Sequence, residues 1–178
     1  MVLPDRVEQP ALFMFFGVPG SGKTTLARKI QQYYPSVFVS SDEIAQTFYL
    51  DQTDFYHWTF DIFDHLVEKY LIAGYHVIAD TNADKYTIRQ SMYKMAHTCG
   101  ANVFCFWVQA KMDSLIKRQE ERKQRQDQLR KEHLFYVPEK ELREYQQALE
   151  PPRKDETVYI IDGQRDLENQ LKDIGLMA

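Results

Sequence analysis

The residues from Gly17 to Thr24 carry the clearest chemical signal in the chain. Their sequence, Gly-Val-Pro-Gly-Ser-Gly-Lys-Thr, fits the pattern G-x-x-x-x-G-K-[ST]. Glycines let a loop curl so that several backbone N–H groups point at phosphate oxygens, and a following helix adds the partial positive charge of its N-terminus. The pattern therefore predicts a site for a nucleoside triphosphate. The residues expected to bind it are Gly17, Pro19, Gly20, Ser21, Gly22, Lys23, Thr24 and Thr25.

Lys23 and Thr24 have predicted roles beyond binding. The lysine is expected to bridge the β- and γ-phosphates and so to take part in catalysis, while the threonine hydroxyl is expected to bind Mg²⁺. An apolar segment, Leu12–Phe16, leads into the loop, and a helix-like segment leaves it near Gly22. This order of strand, loop and helix is the context that the motif requires.

An acidic pair follows the second predicted strand, in the sequence Ser40-Ser41-Asp42-Glu43. Residues just beyond the carboxyl end of a parallel strand line the ligand crevice of an α/β sheet. Asp42 is therefore a candidate catalytic and substrate-binding residue that orients or deprotonates an incoming hydroxyl group. The alternative is helix capping, with a serine at the N-cap and the acids in the first turn, and both roles are compatible.

A second polar group, Asp80-Thr81-Asn82, follows the third predicted strand, with Arg89 a few residues beyond. Asp80 is predicted to associate with the magnesium ion, and Asn82 and Arg89 are predicted to bind substrate. The structural alternative is that Asp80 and Asn82 form a turn and cap the next helix.

Three arginines, Arg118, Arg122 and Arg125, are spaced so that one helix presents all of them on one face. Guanidinium groups that close over a triphosphate stabilise the charge that moves in phosphoryl transfer. Arg118 and Arg122 are therefore predicted to be catalytic residues of a helical lid at about 117–137. The alternative is a solvated helix face with weak pairs such as Glu121–Arg125.

Strand-like and helix-like segments alternate along the whole chain. Nearly continuous apolar runs predict buried strands of a parallel sheet, and amphipathic stretches predict the helices that cover both faces. The predicted strands are Leu12–Phe16, Val37–Val39, His76–Ala79, Val103–Val108 and Val158–Ile161. The predicted helices are Thr25–Gln32, Phe55–Ala73, Lys85–Thr98, Met112–Lys123 and Glu139–Glu150. We expect a three-layer α/β fold in one domain, 1–178, with Gly74 and Gly100 as left-handed helix ends.

Aromatic side chains are concentrated before and within the long predicted helix. Phe55, Trp58, Ile62 and Leu66 have the spacing of a core stripe, so packing is the favoured interpretation over stacking on a nucleobase.

Composition limits the class of protein. The apolar share of 44% and the charged share of 27% are those of a soluble globular protein. No apolar run approaches the roughly 18 residues that a membrane span needs, and the N-terminus does not resemble a signal peptide, so a cytoplasmic location and no membrane partner are expected. Neither the two cysteines nor the five histidines have metal-ligand spacing, so no structural metal is predicted. The net charge of −4 argues against a protein that coats nucleic acid.

Together these motifs resemble the small P-loop kinases grouped with phage polynucleotide kinase, zeta toxin and related AAA-type ATP-binding kinase domains. The resemblance covers about 11–163. It implies a P-loop NTPase fold of the nucleoside-monophosphate-kinase type with about five parallel strands, ATP and Mg²⁺ as cofactors, and Gly163 near the adenine. In polynucleotide kinases an arginine follows the residue matching Asp42, and this sequence has Ala45 there.

Three functions therefore stand as alternatives. The first is transfer of the γ-phosphate of ATP to a 5′-hydroxyl end of a nucleic acid, favoured by the basic residues between Lys117 and Lys131. The second is transfer to a small hydroxyl compound such as a metabolite, sugar or nucleoside. The third is an ATP-binding or ATP-hydrolysing switch without a phosphoryl acceptor.

Overall fold

Five parallel strands form the sheet of this protein, which is known from a computed structural model describing residues 7–48, 58–129 and 136–177. The strands are β1 (Ala11–Phe16), β2 (Val37–Ser40), β3 (Val77–Asp80), β4 (Asn102–Gln109) and β5 (Val158–Asp162). Their spatial order is β2-β3-β1-β4-β5. This confirms the predicted α/β fold with its five parallel strands.

The helices described in those residues are α1 (Lys23–Tyr33), α2 (Ser41–Phe48), α3 (Phe60–Ile72), α4 (Tyr86–Thr98), α5 (Met112–Leu129), α6 (Glu139–Ala148) and α7 (Leu167–Asp173). Every predicted strand is present to within one residue at each end, and every predicted helix is present, with α5 running six residues beyond its predicted end at Lys123. Residues 130–135 of the predicted lid, about 117–137, lie outside the described residues. The N-terminal part of the predicted helix Phe55–Ala73 lies partly outside the described residues. The capping alternative at Ser40-Ser41-Asp42-Glu43 anticipated the start of α2 but not its extent, whereas the short, polar α7 was not predicted.

Strand β1 is the buried centre of the sheet, and all six of its side chains are 4% exposed or less. Its side chains alternate between two apolar clusters on opposite faces. Leu12, Met14 and Phe16 pack towards α3 and α4, while Phe13 and Phe15 pack towards α1 and α7. A strand covered on both faces must be apolar at every position, which is why the run is continuous.

Aromatic pairs connect β1 to its neighbour β4 in register. Phe13 stacks on Phe104 with ring centroids 5.1 Å apart, and Phe16 stacks on Trp107 at 5.6 Å. Such pairs add about 0.5–1.5 kcal/mol each to the free energy of burial. The strand that leads into the phosphate-binding loop is therefore held firmly in place.

Gly74 and Gly100 lie at helix ends in the left-handed conformation, as predicted. Gly74 after α3 has φ of 84° and Gly100 after α4 has φ of 68°, in the left-handed region that disfavours side chains.

The aromatic stripe of α3 agrees with the prediction only in part. Phe63 is 1% exposed and belongs to the core, and Ile62 and Leu66 pack against that core. Trp58 is 60% exposed, so its assignment to the core is wrong. Trp58 and Thr59 lead into α3 in a π-helical conformation, whose wider turn does not follow the spacing of an α-helix.

Topology brings the polar loops together. The chain crosses from β1 to β2 and β3 on one side and then to β4 on the other, so the order reverses beside β1. Such a reversal leaves a crevice at the carboxyl ends of the strands. In the three described ranges, no helix combines the length and the apolar character that crossing a bilayer requires.

Candidate active site

The loop between β1 and α1 begins the candidate site. Gly17 has φ of 144°, and a Cβ atom there would lie 2.2 Å from the carbonyl oxygen of Val108 on β4. Only glycine allows the chain to turn this sharply against the neighbouring strand. Pro19, Gly20, Ser21 and Gly22 complete the curl, and α1 begins at Lys23.

Lys23 folds back over this loop, and its Nζ donates to the carbonyl oxygen of Gly17 at 2.7 Å. Burial lowers the pKa of Lys23 to about 8, although the carboxylates of Asp80, Asp42 and Asp84 act in the opposite direction. An ammonium group desolvated in this way is suited to receive the negative charge of a phosphate.

Thr24 follows directly and donates its hydroxyl to Asp80 Oδ2 at 3.0 Å. Thr24 is on α1 and Asp80 ends β3, so the bond joins two elements that meet at the crevice. Burial raises the pKa of Asp80, and the bond from Thr24 and the charge of Lys23 oppose that rise. A hydroxyl and a carboxylate side by side are ligands that fit Mg²⁺. Thr25 is exposed beside them and lines a surface pocket of about 430 Å³ with Arg28 and Leu167.

Asp42 lies in the first turn of α2, where Ser40 Oγ accepts the N–H of Glu43 at 3.3 Å. Burial raises the pKa of Asp42, and the positive charges of Lys23 and Arg122 oppose it. Burial lowers the pKa of Arg122, which Asp42 counteracts. Helix α5 therefore brings Arg122 to Asp42, and the fold gathers Lys23, Asp42, Asp80 and Arg122 around one crevice. Their chemical roles remain predictions.

Arg118 lies one turn earlier on α5, in a different environment. Its Nη1 donates to the carbonyl oxygens of Gly20 at 2.9 Å and Ser21 at 3.1 Å, and its Nη2 donates to that of Gly163 at 2.7 Å. The described contacts of Arg118 thus attach α5 to the phosphate loop and to the turn after β5. Its predicted action on the phosphates remains a prediction.

Gly163 in the turn after β5 packs directly against the phosphate loop. Its N–H donates to the carbonyl oxygen of Gln109 at 2.7 Å, and a Cβ atom on it would lie 2.0 Å from the carbonyl oxygen of Ser21. The position predicted to be near the adenine is therefore adjacent to the loop, and only glycine fits there.

Arg89 corrects a prediction. We expected a substrate-binding residue, but its side chain is fully buried and forms an ion pair with Glu156, which is also fully buried. Its Nε donates to Glu156 Oε1 at 2.6 Å and its Nη2 to Oε2 at 3.0 Å. The remaining guanidinium N–H groups donate to the carbonyl oxygens of Ala83, Asp84 and Pro151. No part of the group can reach a substrate.

Asn82 and Ala45 occupy the edge of the same region. Asn82 Oδ1 is buried and has no hydrogen-bond partner among the described residues, and the same holds for Thr81 Oγ1. The predicted binding of substrate by Asn82 is untested. Ala45 is 4% exposed on α2, packed inside the fold.

Two residues near the site escaped sequence reasoning. Asp84 follows Asn82 by two positions and is one of the carboxylates whose charge acts on Lys23. Its place on the same loop was the available signal. Gln119 is 2% exposed, and its Oε1 accepts the N–H of Val137 at 3.1 Å, which ties α5 to the residues that precede α6. No signal in the sequence distinguishes Gln119 from the other glutamines of α5.

Comparison with known proteins adds three findings. The model of a protein family described as an AAA domain matches residues 12–152. A search of curated protein sequences gives no significant match. Many solved structures share the fold, at identities too low to show more than the fold.

Among the solved structures, a Chloroflexus aurantiacus J-10-fl protein assigned as a kinase is 16% identical with a TM-score of 0.74, and the alignment covers 96% of this chain and 100% of that one. Chaetomium thermophilum Kti12 in complex with ADP-AlF3 is 17% identical with a TM-score of 0.72, covering 92% and 94%. A chain of the Pnkp1/Rnl/Hen1 RNA repair complex is 21% identical with a TM-score of 0.66, covering 80% of this chain and 45% of that one.

Proposed function

The chain belongs to the AAA domain family whose model spans most of its length, and on that premise we propose that it is an ATP-dependent phosphotransferase acting on a hydroxyl group. One observation carries the proposal. The phosphate-loop residues Lys23 and Thr24 lie at the same crevice as two carboxylates from different strand ends, Asp42 and Asp80. A nucleotide-binding site alone needs no second carboxylate beside the one that would hold the magnesium ion.

In the proposed reaction the loop N–H groups and Lys23 hold the triphosphate of ATP. Lys23 then exchanges its bond to the Gly17 carbonyl for phosphate oxygens. Thr24 and Asp80 are the residues that would hold Mg²⁺, directly or through water, and the ion would neutralise phosphate charge when bound.

Asp42 acts on the acceptor. Its carboxylate receives the hydroxyl proton as the acceptor oxygen forms a bond to the γ-phosphorus. The bond from that phosphorus to the oxygen bridging the β- and γ-phosphates breaks, and ADP leaves. Because partial desolvation raises the pKa of Asp42, this carboxylate is a better proton acceptor than a fully solvated one. Arg122 beside it stabilises charge on the transferring group.

The test is transfer of labelled γ-phosphate from ATP with Mg²⁺ to a panel of hydroxyl acceptors. The panel includes 5′-hydroxyl DNA and RNA oligonucleotides, nucleosides, sugars and aminoglycosides. We expect labelled product that falls by about 100-fold or more in Lys23→Ala, since one preorganised phosphate donor contributes on that order. Asp42→Asn should lower kcat more than it changes the KM for ATP.

Two outcomes would overturn parts of the proposal. Full activity in Asp42→Asn would remove the assigned proton acceptor. ATP hydrolysis that no acceptor accelerates would replace the phosphotransferase with an ATP-dependent switch.

A further inference from the structure

Gln119 on α5 is a buried polar residue that the proposed reaction does not use. Its side chain is 2% exposed. Its Oε1 accepts the N–H of Val137 at 3.1 Å, although Val137 lies 18 residues further along the chain. Because a backbone N–H can only donate, this bond fixes which end of the amide is the oxygen. The amide nitrogen, Nε2, is therefore left to contact another part of the fold.

That part is the phosphate loop. A Cβ atom on Gly20, in the middle of the loop, would lie 3.0 Å from Nε2 of Gln119, and Nε2 is the nearest atom apart from the chain neighbours of Gly20. The side chain of Leu115, one turn earlier on α5, would lie 3.8 Å from the same Cβ. In the described residues Nε2 has no hydrogen-bond partner. The amide of Gln119 thus fills the space beside Gly20 without bonding to it.

Both sides of this contact are held in place. The bond from Val137 and the burial of the side chain limit the movement of the Gln119 amide. Arg118 Nη1 donates to the carbonyl oxygen of Gly20 at 2.9 Å. A side chain at position 20 would therefore fit only if the Gln119 amide gave way.

Val137 belongs to the residues that lead into α6. The next residue, Pro138, is the N-cap of α6, and its carbonyl oxygen accepts the N–H of the fully buried Leu142 at 3.0 Å. Tyr136 also contacts α5, because its hydroxyl donates to Glu120 Oε1 at 3.4 Å. The chain returns to α5 at this point, and Gln119 is where that return meets the phosphate loop.

We propose that Gln119 is a positioning residue that couples the phosphate loop to the chain entering α6. The N–H of Val137 holds the amide, and the amide limits where the loop can lie at Gly20. Binding of ATP to the loop and placement of Val137 against α5 then favour each other, because coupling between two sites is reciprocal. The coupling depends on ATP binding alone and not on transfer to an acceptor.

The first measurement is the affinity for ATP, by calorimetry, in a double-mutant cycle. Gly20→Ala places a methyl group against the amide, and we expect the affinity to fall about tenfold, which is the order of one lost hydrogen bond to a charged group. In Gln119→Ala the space beside Gly20 is open, so adding Gly20→Ala should lower the affinity by less than about threefold. The cost of a positive φ at position 20 is common to both backgrounds and cancels in the comparison.

Gln124 supplies the matched control, since it is an exposed glutamine on the same helix. Gln124→Ala alone should leave the affinity for ATP unchanged. In the Gln124→Ala background, Gly20→Ala should still lower the affinity about tenfold.

The second measurement is hydrogen exchange of the Val137 amide, followed by NMR with and without ATP. In the original protein ATP should slow this exchange by about threefold or more. In Gln119→Ala the exchange should be about tenfold faster and should not respond to ATP. Gln119→Met keeps the length of the side chain but lacks the amide oxygen, so it should behave as Gln119→Ala does in both measurements. It provides the test if the shorter side chain prevents folding.

The outcomes distinguish this coupling from the phosphotransferase function. Equal losses from Gly20→Ala in every background would overturn the coupling, and so would an effect of ATP on Val137 that persists without Gln119. A full tenfold loss from Gly20→Ala in Gln119→Met would indicate crowding alone and would also overturn it. ATP binding without transfer to any acceptor would overturn the phosphotransferase and leave the coupling intact, whereas absence of ATP binding would overturn both.

Discussion

Replacing Glu156 with Gln tests the buried ion pair that keeps Arg89 from contacting a substrate. Both side chains are fully buried, and two bonds join them at 2.6 and 3.0 Å. Removing one partner of such a pair leaves an uncompensated charge and costs about 3–5 kcal/mol. We expect the low end, about 3 kcal/mol, because the carbonyl oxygens of Ala83, Asp84 and Pro151 still accept from the guanidinium group.

The assay is reversible urea unfolding together with a thermal scan. At about 2–4 °C per kcal/mol for a domain of this size, the melting temperature should fall by about 6–12 °C. Arg89→Met should cost a similar amount. The double variant should cost clearly less than the two single changes added together, since neither charge is then left alone. The control is Glu139→Gln, whose partner Arg143 lies 2.6 Å away but with both side chains about half exposed, and it should cost less than about 1 kcal/mol.

The pH dependence of the folding stability follows from the direction in which the pKa of Glu156 is shifted. Burial raises the pKa of Glu156, but the bonds from Arg89 and from the N–H of Arg153 outweigh it and hold that pKa below its ordinary value of 4.5. The pair therefore stabilises the fold above that ordinary value and stops doing so as pH falls through the lowered one. The stability difference between the original protein and Glu156→Gln should shrink below about pH 4. This account would be refuted if the stability costs of the two single changes added up in the double variant. It would also be refuted if the stability difference between the original protein and Glu156→Gln did not depend on pH.

Two further predictions concern ATP. Because burial lowers the pKa of Lys23 to about 8 and its charged form binds phosphate, the affinity for ATP should fall as pH rises above 8, by up to about tenfold per pH unit. Calorimetry in two buffers should show that the protein takes up a proton when ATP binds. An affinity that does not change with pH would contradict this prediction, and Lys23→Ala should show no such pH dependence. Gly163→Ala should lower kcat/KM for ATP by about 100-fold, since the new methyl group would displace the loop at Ser21. Gly100→Ala, which meets no atom within 4 Å, should reduce stability only, and equal kinetic losses in both would argue against the steric explanation.

The parts of the molecule that sequence predicts well depend on local rules. β1 is apolar at every position because both its faces are covered, so the continuous apolar sequence predicted this strand. The sequence predicted the phosphate loop because the backbone conformation of that loop requires glycine at fixed positions. Asp42 and Asp80 were placed together because the carboxyl ends of parallel strands meet at one edge of the sheet, a rule that needs no side-chain detail.

The partners of the arginine side chains could not be predicted from local sequence rules. A guanidinium group has five N–H donors, and main-chain carbonyls satisfy them as well as phosphates do. Arg89 finds its partner Glu156 at a distance of 67 residues along the chain, and Arg118 finds its acceptors at Gly20, Ser21 and Gly163. Helical spacing predicted that Arg118 and Arg122 share a face, but it could not show which loop each turn of that face meets.

These arginine contacts support the backbone around the candidate site. Arg89 fixes the main chain of Ala83 and Asp84, just after the residues that end β3. Arg118 fixes the phosphate loop and the turn after β5. Each uses a cation to hold the backbone carbonyls of a loop at the candidate site. Orientation of catalytic groups to within about half an ångström requires such support, which makes these two positioning residues as necessary to the proposed reaction as the groups in the crevice.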